Sequence, residues 1–199
     1  MAFNKVIISS GHLTDKPGRP ASRFPESKLG VVSGFMSRQL AAWSVGPGDL
    51  AICGGARGSD ILFAELCADR GAEVWLFISL EEEDFLEQSV RVPGTDWEQR
   101  FAALRKRVGV KMVMQAQASQ SGASRSAASS GAASLSPFER ANTWMISMGI
   151  AQAPSPGQLY ALLVWDEKPS GDGPGGTADF AEQVRKAGGQ VAVINPTKL

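Results

Sequence analysis

Two glycine-rich segments carry the residues best suited to bind an anionic ligand. The first reads Gly-Gly-Ala-Arg-Gly-Ser-Asp over 54–60 and includes Arg57, and the second, at 171–179, ends in Pro-Gly-Gly-Thr-Ala-Asp. Glycines let backbone amides approach an oxygen-rich group, and a helix that begins there adds the positive end of its dipole. Arg57 can add a bidentate contact with a phosphate, and Thr177 can add a hydroxyl. This pattern favours a nucleotide-like ligand.

Most of the residues that we expect to contact such a ligand lie in these two segments and in the loop after the first strand. The complete set is His12, Asp15, Arg19, Arg23, Gly54, Gly55, Arg57, Gly58, Ser59, Asp60, Arg100, Asp166, Gly175, Gly176 and Thr177. An alternative is that each segment is only a glycine-rich turn between a strand and a helix. In that case Asp60 and Asp179 are structural helix caps, since Asp is favoured at helix starts.

His12 is the only histidine of the chain, and it shares its loop with Asp15, Arg19 and Arg23. An imidazole there can contact a base or a ribose, and near neutral pH it can act as a general acid or base. The alternative is a polar surface residue without a role in binding. Because loops at strand ends often carry functional residues, both interpretations stay open.

Three carboxylates are candidates for ligand contacts or acid–base chemistry. Asp179, at the end of the second glycine segment, and Glu65, in the helix after the first, are the candidate catalytic groups. Glu65 either points at the ligand, where it can hold Arg57 or a ribose hydroxyl, or faces water. Asp166 directly follows an apolar strand, and we expect it at the rim of the site, where it can bind ribose hydroxyls.

Several aromatic and polar residues are further candidates. Trp97 can stack on a base while Arg100 meets a phosphate, although core packing explains the aromatic residue equally well. The other candidates of this kind are Phe85, Ser89, Phe101, Asn142 and Trp144.

Six short apolar runs alternate with segments of helical periodicity, and these elements must position the candidate residues. The predicted strands are 5–9, 49–53, 73–79, 110–114, 159–165 and 191–194. The predicted helices are 25–43, 58–70, 96–108, 177–187 and one that runs from Pro137 to a stop at 154–157. Alternation of this kind predicts an α/β fold, a Rossmann-like three-layer sandwich whose mostly parallel sheet has about six strands.

The unusual residues fall in loops that leave the strands, whereas the loops that enter the strands are brief and marked by glycine. In a parallel sheet, the loops that follow the strands gather at one edge. Ligands of open α/β sheets bind in the crevice at that edge. The topology therefore predicts the site at the carboxyl ends of the strands.

One stretch differs from the rest of the chain, which we otherwise interpret as a single domain over residues 1–199. Of the 21 residues at 116–136, eight are Ser and seven are Ala, and none is aromatic. Such a stretch cannot bury enough apolar surface to order itself, so we expect a flexible insertion. The order resumes at Ser136, which can cap a helix that Pro137 begins.

The charge balance argues against a polyanionic partner. Twenty Lys and Arg residues stand against 20 Asp and Glu residues, so the formal net charge is zero. No global positive field exists to hold a nucleic acid, although a local anion site is compatible with this balance.

The cysteines, the histidine and the first residues bear on cofactors and compartment. Cys53 and Cys67 are too few for a disulfide framework, and a single histidine argues against a zinc cluster of soft ligands. We expect no required cofactor, and Mg²⁺ held jointly with a phosphate ligand stays open. The start of the chain shows neither a signal peptide nor a membrane span, so we expect a cytoplasmic protein without a membrane partner.

Residues 54–78 resemble the phosphate-loop segment of the SLOG superfamily. This superfamily includes the bacterial DNA-processing proteins of the Smf/DprA type and the Lonely Guy (LOG) phosphoribohydrolases, whose Pro-Gly-Gly signature is similar to the second glycine segment. The chain is also similar to SLOG-like domains found beside repeat or signalling modules in bacterial stress and conflict systems. The resemblance spans nearly the whole chain except 116–136, and it implies a Rossmann-like fold with a nucleotide-type ligand.

The resemblance also implies roles for particular residues. The phosphate-binding residues that it implies are Gly54, Gly55, Arg57, Gly58, Gly175, Gly176 and Thr177. In the Lonely Guy enzymes two further residues separate the signature from the Thr, and a Glu beyond it assists cleavage of the N-glycosidic bond. Here Gly176 runs straight into Thr177, and Asp179 stands where the Glu is wanted. The resemblance therefore implies binding more directly than hydrolysis.

Three functions are compatible with these residues. The first is a module that binds a nucleotide or a nucleotide-derived signal, such as an ADP-ribose-type ligand, and acts through a homo-oligomer or a separate effector protein. The second is a hydrolase of the nucleotide N-glycosidic bond, with Asp179 or Glu65 as the acid–base group. The third is binding of single-stranded DNA, against which the zero net charge argues.

Overall fold

Six strands and six helices alternate along the chain in the computed structural model, which describes residues 2–107, 110–114, 136–168 and 176–199. The strands are β1 (Val6–Gly11), β2 (Leu50–Cys53), β3 (Glu73–Ile78), β4 (Val110–Met114), β5 (Leu159–Val164) and β6 (Gln190–Ile194). The helices are α1 (Leu29–Ala42), α2 (Ser59–Asp69), α3 (Glu82–Phe85), α4 (Trp97–Lys106), α5 (Pro137–Gln152) and α6 (Thr177–Lys186). Short 3-10 turns lie at Glu26–Lys28, Pro156–Gln158 and Pro196–Lys198, and a π-helical turn lies at Leu86–Val90.

All six strands belong to one sheet, in the order β4-β3-β2-β1-β5-β6. Each neighbouring pair runs parallel. The predicted α/β class, with a Rossmann-like sandwich of six strands, is therefore confirmed. The sheet is parallel throughout, because a crossover that contains a helix joins every pair of successive strands.

The strand order creates a switch point beside β1. The chain adds β2, β3 and β4 in turn on one side of β1 and then places β5 on the other side. β1 and β5 pair along their whole length, from Val6 opposite Leu159 to Gly11 opposite Val164. The connections that follow these two strands lead away in opposite directions, and this divergence opens a crevice at their carboxyl ends.

Alternate residues of the central strands pack into two separate cores, one on each face of the sheet. In β1, Ile7 belongs to the core that α1, α2 and α4 cover, whereas Val6 and Ile8 belong to the core that α5 and α6 cover. All three side chains are fully buried. Burial on both faces explains why the strands read as continuous apolar runs rather than as alternating ones.

The first helix begins later than its apolar pattern indicated. Pro25 is extended, with ψ of 152°, and a 3-10 turn over Glu26–Lys28 leads into α1 at Leu29. Trp43, which the pattern placed on the helix, caps its end and lies against Tyr160 with ring centroids 5.0 Å apart.

The acidic run at 81–84 lies at the start of a helix, where the helix dipole favours negative charge, and α3 carries Glu82, Glu83 and Asp84 in its first turn. The helix then continues into the π-helical turn, which the sequence pattern did not reveal. This turn brings the carbonyl of Ser89 to the backbone N–H of Arg57, at 3.0 Å. The π-helical turn therefore braces the first glycine segment.

The start of α5 is confirmed in detail. Ser136 accepts a hydrogen bond from the N–H of Glu139, the Glu139 carboxylate accepts one from the N–H of Ser136, and Pro137 occupies the first helical position. The preceding residues 115–135 lie outside the described residues, and with them nearly all of the predicted insertion at 116–136. Residues 169–175, which include most of the second glycine segment, lie outside as well.

Candidate functional site

A pocket of about 370 Å³ lies beside the loop that leaves β1, and we call it the arginine pocket. Its walls combine backbone of this loop with four cationic side chains, Lys16, Arg19, Arg23 and Arg57. The remaining lining residues are Gly11, His12, Leu13, Thr14, Pro17 and Gly18. None of the described lining residues is a carboxylate, so these residues present a local positive charge on a chain whose net charge is zero.

Arg57 is the most unusual residue of the arginine pocket because it is only 4% exposed and lacks an ion pair among the described residues. Its Nε donates to the carbonyl of Thr14 at 3.3 Å, but its buried Nη1 has no hydrogen-bond partner in the described part of the chain. The buried hydroxyl of Thr14 lacks a partner there too. Burial lowers the pKa of Arg57, with Glu26 acting in the opposite direction. Buried donors without partners are costly, so this arrangement suits an anionic ligand.

Asp166 fixes one wall of the arginine pocket. Its carboxylate receives two hydrogen bonds from Arg23, both at 3.1 Å, and Oδ1 lies 3.1 Å from Nε2 of His12. The backbone N–H of Asp166 also donates to that Nε2 at 3.1 Å. A neutral imidazole accepts this N–H, whereas a protonated one pairs with the carboxylate.

The expectation that Asp166 binds ribose hydroxyls at the rim is corrected, because its side chain is fully buried and engaged by Arg23 and His12. Burial acts to raise the pKa of Asp166, but the hydrogen bonds from Arg23 and His12 outweigh it and hold the pKa well below its usual range. Asp166 is therefore an ionised positioning residue.

Asp15 also organises the loop rather than facing a ligand. Its Oδ2 accepts hydrogen bonds from the hydroxyl of Ser22 and from the N–H groups of Arg23 and Phe24, at 2.8–3.1 Å. Arg19 Nε lies 3.4 Å from the other carboxylate oxygen. Asp15 is absent from the described lining of the arginine pocket, and its prediction as a ligand contact is corrected accordingly.

A second, larger cavity of about 580 Å³ lies over the ends of β1, β2 and β3, and we call it the switch-point cleft. The first turns of α5 and α6 form its opposite wall. Its apolar lining consists of Leu13, Phe77, Phe85, Phe138 and Met145. Its polar lining includes Ser10, Asp60, Ser79, Ser89, Asn142 and Thr177. Gly11, Leu13 and Lys16 line both cavities, so the arginine pocket and the cleft adjoin.

Asp60 occupies the place that a phosphate was expected to take in the first glycine segment. Its carboxylate accepts hydrogen bonds from the N–H groups of Gly54 and Ala56 and from the hydroxyl of Ser59. A Cβ at position 54 would lie 2.9 Å from Asp60 Oδ2, so a glycine there makes room for the carboxylate. Burial raises the pKa of Asp60 to about 7, with these hydrogen bonds opposing the shift.

Two further amides of the first glycine segment are also engaged. The N–H of Arg57 donates to Ser89, and the N–H of Ser59 donates to the carbonyl of His12. Gly58 has a φ of +88°, and a Cβ there would meet the backbone nitrogen of Thr14 at 2.7 Å. The segment therefore packs against the β1 loop and presents the side chain of Arg57. The Gly54 amide is thus occupied by Asp60, and phosphate binding by the amides of Gly55 and Gly58 stays a prediction.

The second glycine segment reaches the switch-point cleft through Gly176 and Thr177, which precede and begin α6. Gly175 lies outside the described residues. Asp179 lies in the first turn of α6 and accepts a hydrogen bond from Gln183 Nε2 at 2.7 Å. It is not among the described residues that line either cavity.

Glu65 and Arg100 pair with each other away from both cavities. Arg100 Nε donates to Glu65 Oε1 at 2.9 Å, and the guanidinium lies over the ring of Trp97, 4.3 Å from its centroid. Trp97 and Phe101 are core residues, each 1% exposed. The structure therefore corrects the placement of Glu65 as a catalytic group and of Arg100 as a phosphate contact, because packing of α2 against α4 pairs the two side chains.

Several lining residues were missed or only loosely indicated by the sequence. Lys16 and Thr14 lie in the same loop after β1 as the predicted residues His12, Arg19 and Arg23. Because loops at strand ends often carry functional residues, the sequence could have indicated these two as well. No feature of the sequence around Phe138 indicates that it lines the cleft, because its position there depends on how α5 docks. Of the looser candidates, Phe85, Ser89 and Asn142 line the cleft, whereas Trp144 packs against Phe77 with ring centroids 4.3 Å apart.

Within the described residues, no three His, Cys, Asp or Glu side chains converge on a point where a metal ion would fit. A Mg²⁺ ion held jointly with a ligand phosphate stays a prediction. None of the helices described in the structure has the length and apolar character that a membrane span requires. Comparison of the sequence with protein-family models gives no match, and comparison with curated proteins gives none either.

Proposed function

We propose that this chain is a nucleotide-binding module of the SLOG type, with its ligand at the carboxyl edge of the sheet. The observation that carries the proposal is Arg57, a buried cation whose Nη1 lacks a partner in the described part of the chain and which lines a cationic pocket. A phosphate oxygen supplies the acceptor that this group needs, because guanidinium and phosphate match in geometry and charge.

The two adjoining cavities fit the two ends of a nucleotide. The arginine pocket suits the phosphate, since Lys16, Arg19 and Arg57 converge on it. The switch-point cleft suits the base, since its walls contain Phe77, Phe85 and other apolar side chains. Each volume lies within the range of roughly 300–1,000 Å³ that is typical of small-molecule sites.

Isothermal titration calorimetry against AMP, ADP-ribose, its cyclic forms and NAD tests the proposal. We expect at least one of them to bind, and we expect Arg57→Met to weaken it by about 10- to 100-fold, the effect of losing a charged hydrogen bond. The matched control is Arg38→Met, because Arg38 is an exposed cation stacked on Phe35 and lines neither cavity. Folded protein that binds none of these ligands would contradict the proposal.

The hydrolase alternative receives no support from the geometry. Glu65 is paired with Arg100, and Asp179 is bonded to Gln183, so neither candidate carboxylate lines the cavities in the described residues. If hydrolysis occurs, free adenine is released from AMP, and Asp179→Asn abolishes the release. We expect no such release.

A further inference from the structure

The two adjoining cavities have opposite electrostatic character. The arginine pocket carries Lys16, Arg19, Arg23 and Arg57, whereas the described residues that line the switch-point cleft include, besides Lys16, the ionisable Asp60 and Glu139. Glu139 is committed to the capping box of α5. Asp60 is therefore the carboxylate that a ligand group in the cleft would meet.

Hydrogen bonds fix the position of the Asp60 carboxylate in the wall of the cleft. It is 8% exposed, and its oxygens are held by two backbone N–H groups and by Ser59. A carboxylate has about four acceptor positions, so at least one stays available. No Lys, Arg or His forms an ion pair with Asp60 in the described part of the chain. A hydrogen-bond donor on a ligand would therefore satisfy a buried, uncompensated charge.

We propose that Asp60 determines specificity in the switch-point cleft by accepting a hydrogen bond from an N–H group on the ligand's base, while the phosphate lies in the arginine pocket. This inference rests on the proposed function. It sets the direction in which the ligand lies, with the phosphate at Arg57 in the arginine pocket and the base at Asp60 in the switch-point cleft. It also sets the ligand class, a nucleotide whose base carries an N–H donor.

Deprotonation of Asp60 accompanies this contact. Burial raises the pKa of Asp60 to about 7, and the ionised carboxylate accepts the ligand's N–H more strongly than the protonated acid does. The titratable groups around it are Lys16 from the β1 loop, Glu139 from α5 and the buried thiol of Cys53 in β2, whose Sγ lies 3.5 Å from the Asp60 carbonyl. Because ligand binding favours the ionised form, affinity rises with pH between 6 and 8.

A matched pair of ligands isolates the contact without a mutation. AMP carries an exocyclic amine, whereas purine riboside 5′-monophosphate has the same ring, ribose and phosphate but no N–H on its base. We expect wild-type protein at pH 7.5 to bind AMP about ten-fold more tightly. Titrations in HEPES and in Tris give the number of protons released, and we expect AMP to release more protons than its analogue, although both carry the same phosphate.

The substitution Asp60→Asn provides a second test of this contact. The Asn amide oxygen accepts the N–H groups of the glycine segment, which turns its NH2 toward the ligand, so the preference for AMP is lost or reversed. If the variant does not fold, the ligand pair on wild-type protein still decides. Equal affinities and equal proton release for the two ligands overturn the role of Asp60 and leave the proposed function standing. If neither nucleotide binds wild-type protein between pH 6 and 8, this inference is overturned, and the nucleotide-binding proposal fails with it only if ADP-ribose, its cyclic forms and NAD do not bind either.

Discussion

Arg23 donates from two nitrogens to the carboxylate of Asp166, at 3.1 Å each, across 143 residues of chain. The pair links the loop after β1 to the residue that follows β5, and it therefore joins the two sides of the crevice at the switch point. Its bidentate geometry holds the Arg23 side chain along the wall of the arginine pocket. The walls of the pocket thus depend on contacts between parts of the chain that are distant in sequence.

Loss of this pair should destabilise the protein. We expect Asp166→Ala to lower the free energy of unfolding by about 2–3 kcal/mol, because Arg23 and His12 then lose a buried partner. Urea denaturation at pH 7 measures the change. Lys168→Ala is the control, since this exposed side chain lies 3.9 Å from Asp166 and should contribute less than about 0.5 kcal/mol. Equal effects of the two substitutions would show that the ion pair has no structural role.

Stability should fall as pH rises toward neutrality because of Asp60. Burial raises its pKa to about 7, whereas an unfolded Asp titrates near 3.9, so between these values the folded state holds a proton that the unfolded state has lost. The free energy of unfolding contributed by this group decreases from about pH 4 to pH 7, by at most about 1.4 kcal/mol per pH unit. Urea denaturation at pH 5, 6, 7 and 8 measures this trend.

Asp60→Asn isolates that contribution from those of the other titratable groups. We expect the stability of the variant to change less with pH than that of wild-type protein. Curves that run parallel for the two proteins over pH 5–8 would rule out a raised pKa for Asp60.

Gly58 should tolerate alanine much less well than another glycine of similar backbone conformation. Gly58 has φ of +88° and a Cβ would press on Thr14, whereas Gly18 has φ of +79° and no heavy atom within 4 Å of a Cβ. We expect Gly58→Ala to cost more than 2 kcal/mol in the free energy of unfolding and Gly18→Ala about 1 kcal/mol. Denaturation midpoints measure both. Similar losses would mean that only backbone strain, and not close packing against the β1 loop, requires Gly58.

Glu65 and Arg100 should stabilise the fold without affecting the ligand. Their side chains are 27% and 23% exposed, so we expect a coupling energy of about 1 kcal/mol in a double-mutant cycle with alanine at both positions. Calorimetry should give an affinity for AMP within two-fold of the wild-type value for each variant. A ten-fold loss in Glu65→Ala would restore the hypothesis that this carboxylate acts at the site.

Local patterns in the sequence predicted most of the strands and helices correctly. Ser136 and Pro137 mark the start of α5 because a capping box needs only residues within one turn of helix. The carboxyl edge of the sheet followed from the alternation of strands and helices alone. The late start of α1 was not visible, because Pro25 fits both the first turn of a helix and the extended residue before it.

These local patterns could not predict which charged side chains pair with each other. Asp166 and Arg23 were both named as candidates, but nothing local shows that they neutralise each other over 143 residues of chain. Glu65 and Arg100 are likewise 35 residues apart. Asp60 was visible as a candidate helix cap, yet its burial in the wall of a cavity depends on the docking of α5 and α6.

The pairing of β1 with β5 also sets an order of events during synthesis. Strands β1 to β4 and the helices between them come from residues up to Met114, so this part can pack while the ribosome is still translating the remainder. β5 begins only at Leu159, and α5 and α6 form the wall that faces β1 to β3 in the cleft. The switch-point cleft is therefore completed only when α5 and α6 dock, whereas the described residues that line the arginine pocket, 11–57, are made early, so a ligand that spans both cavities would favour that final docking step.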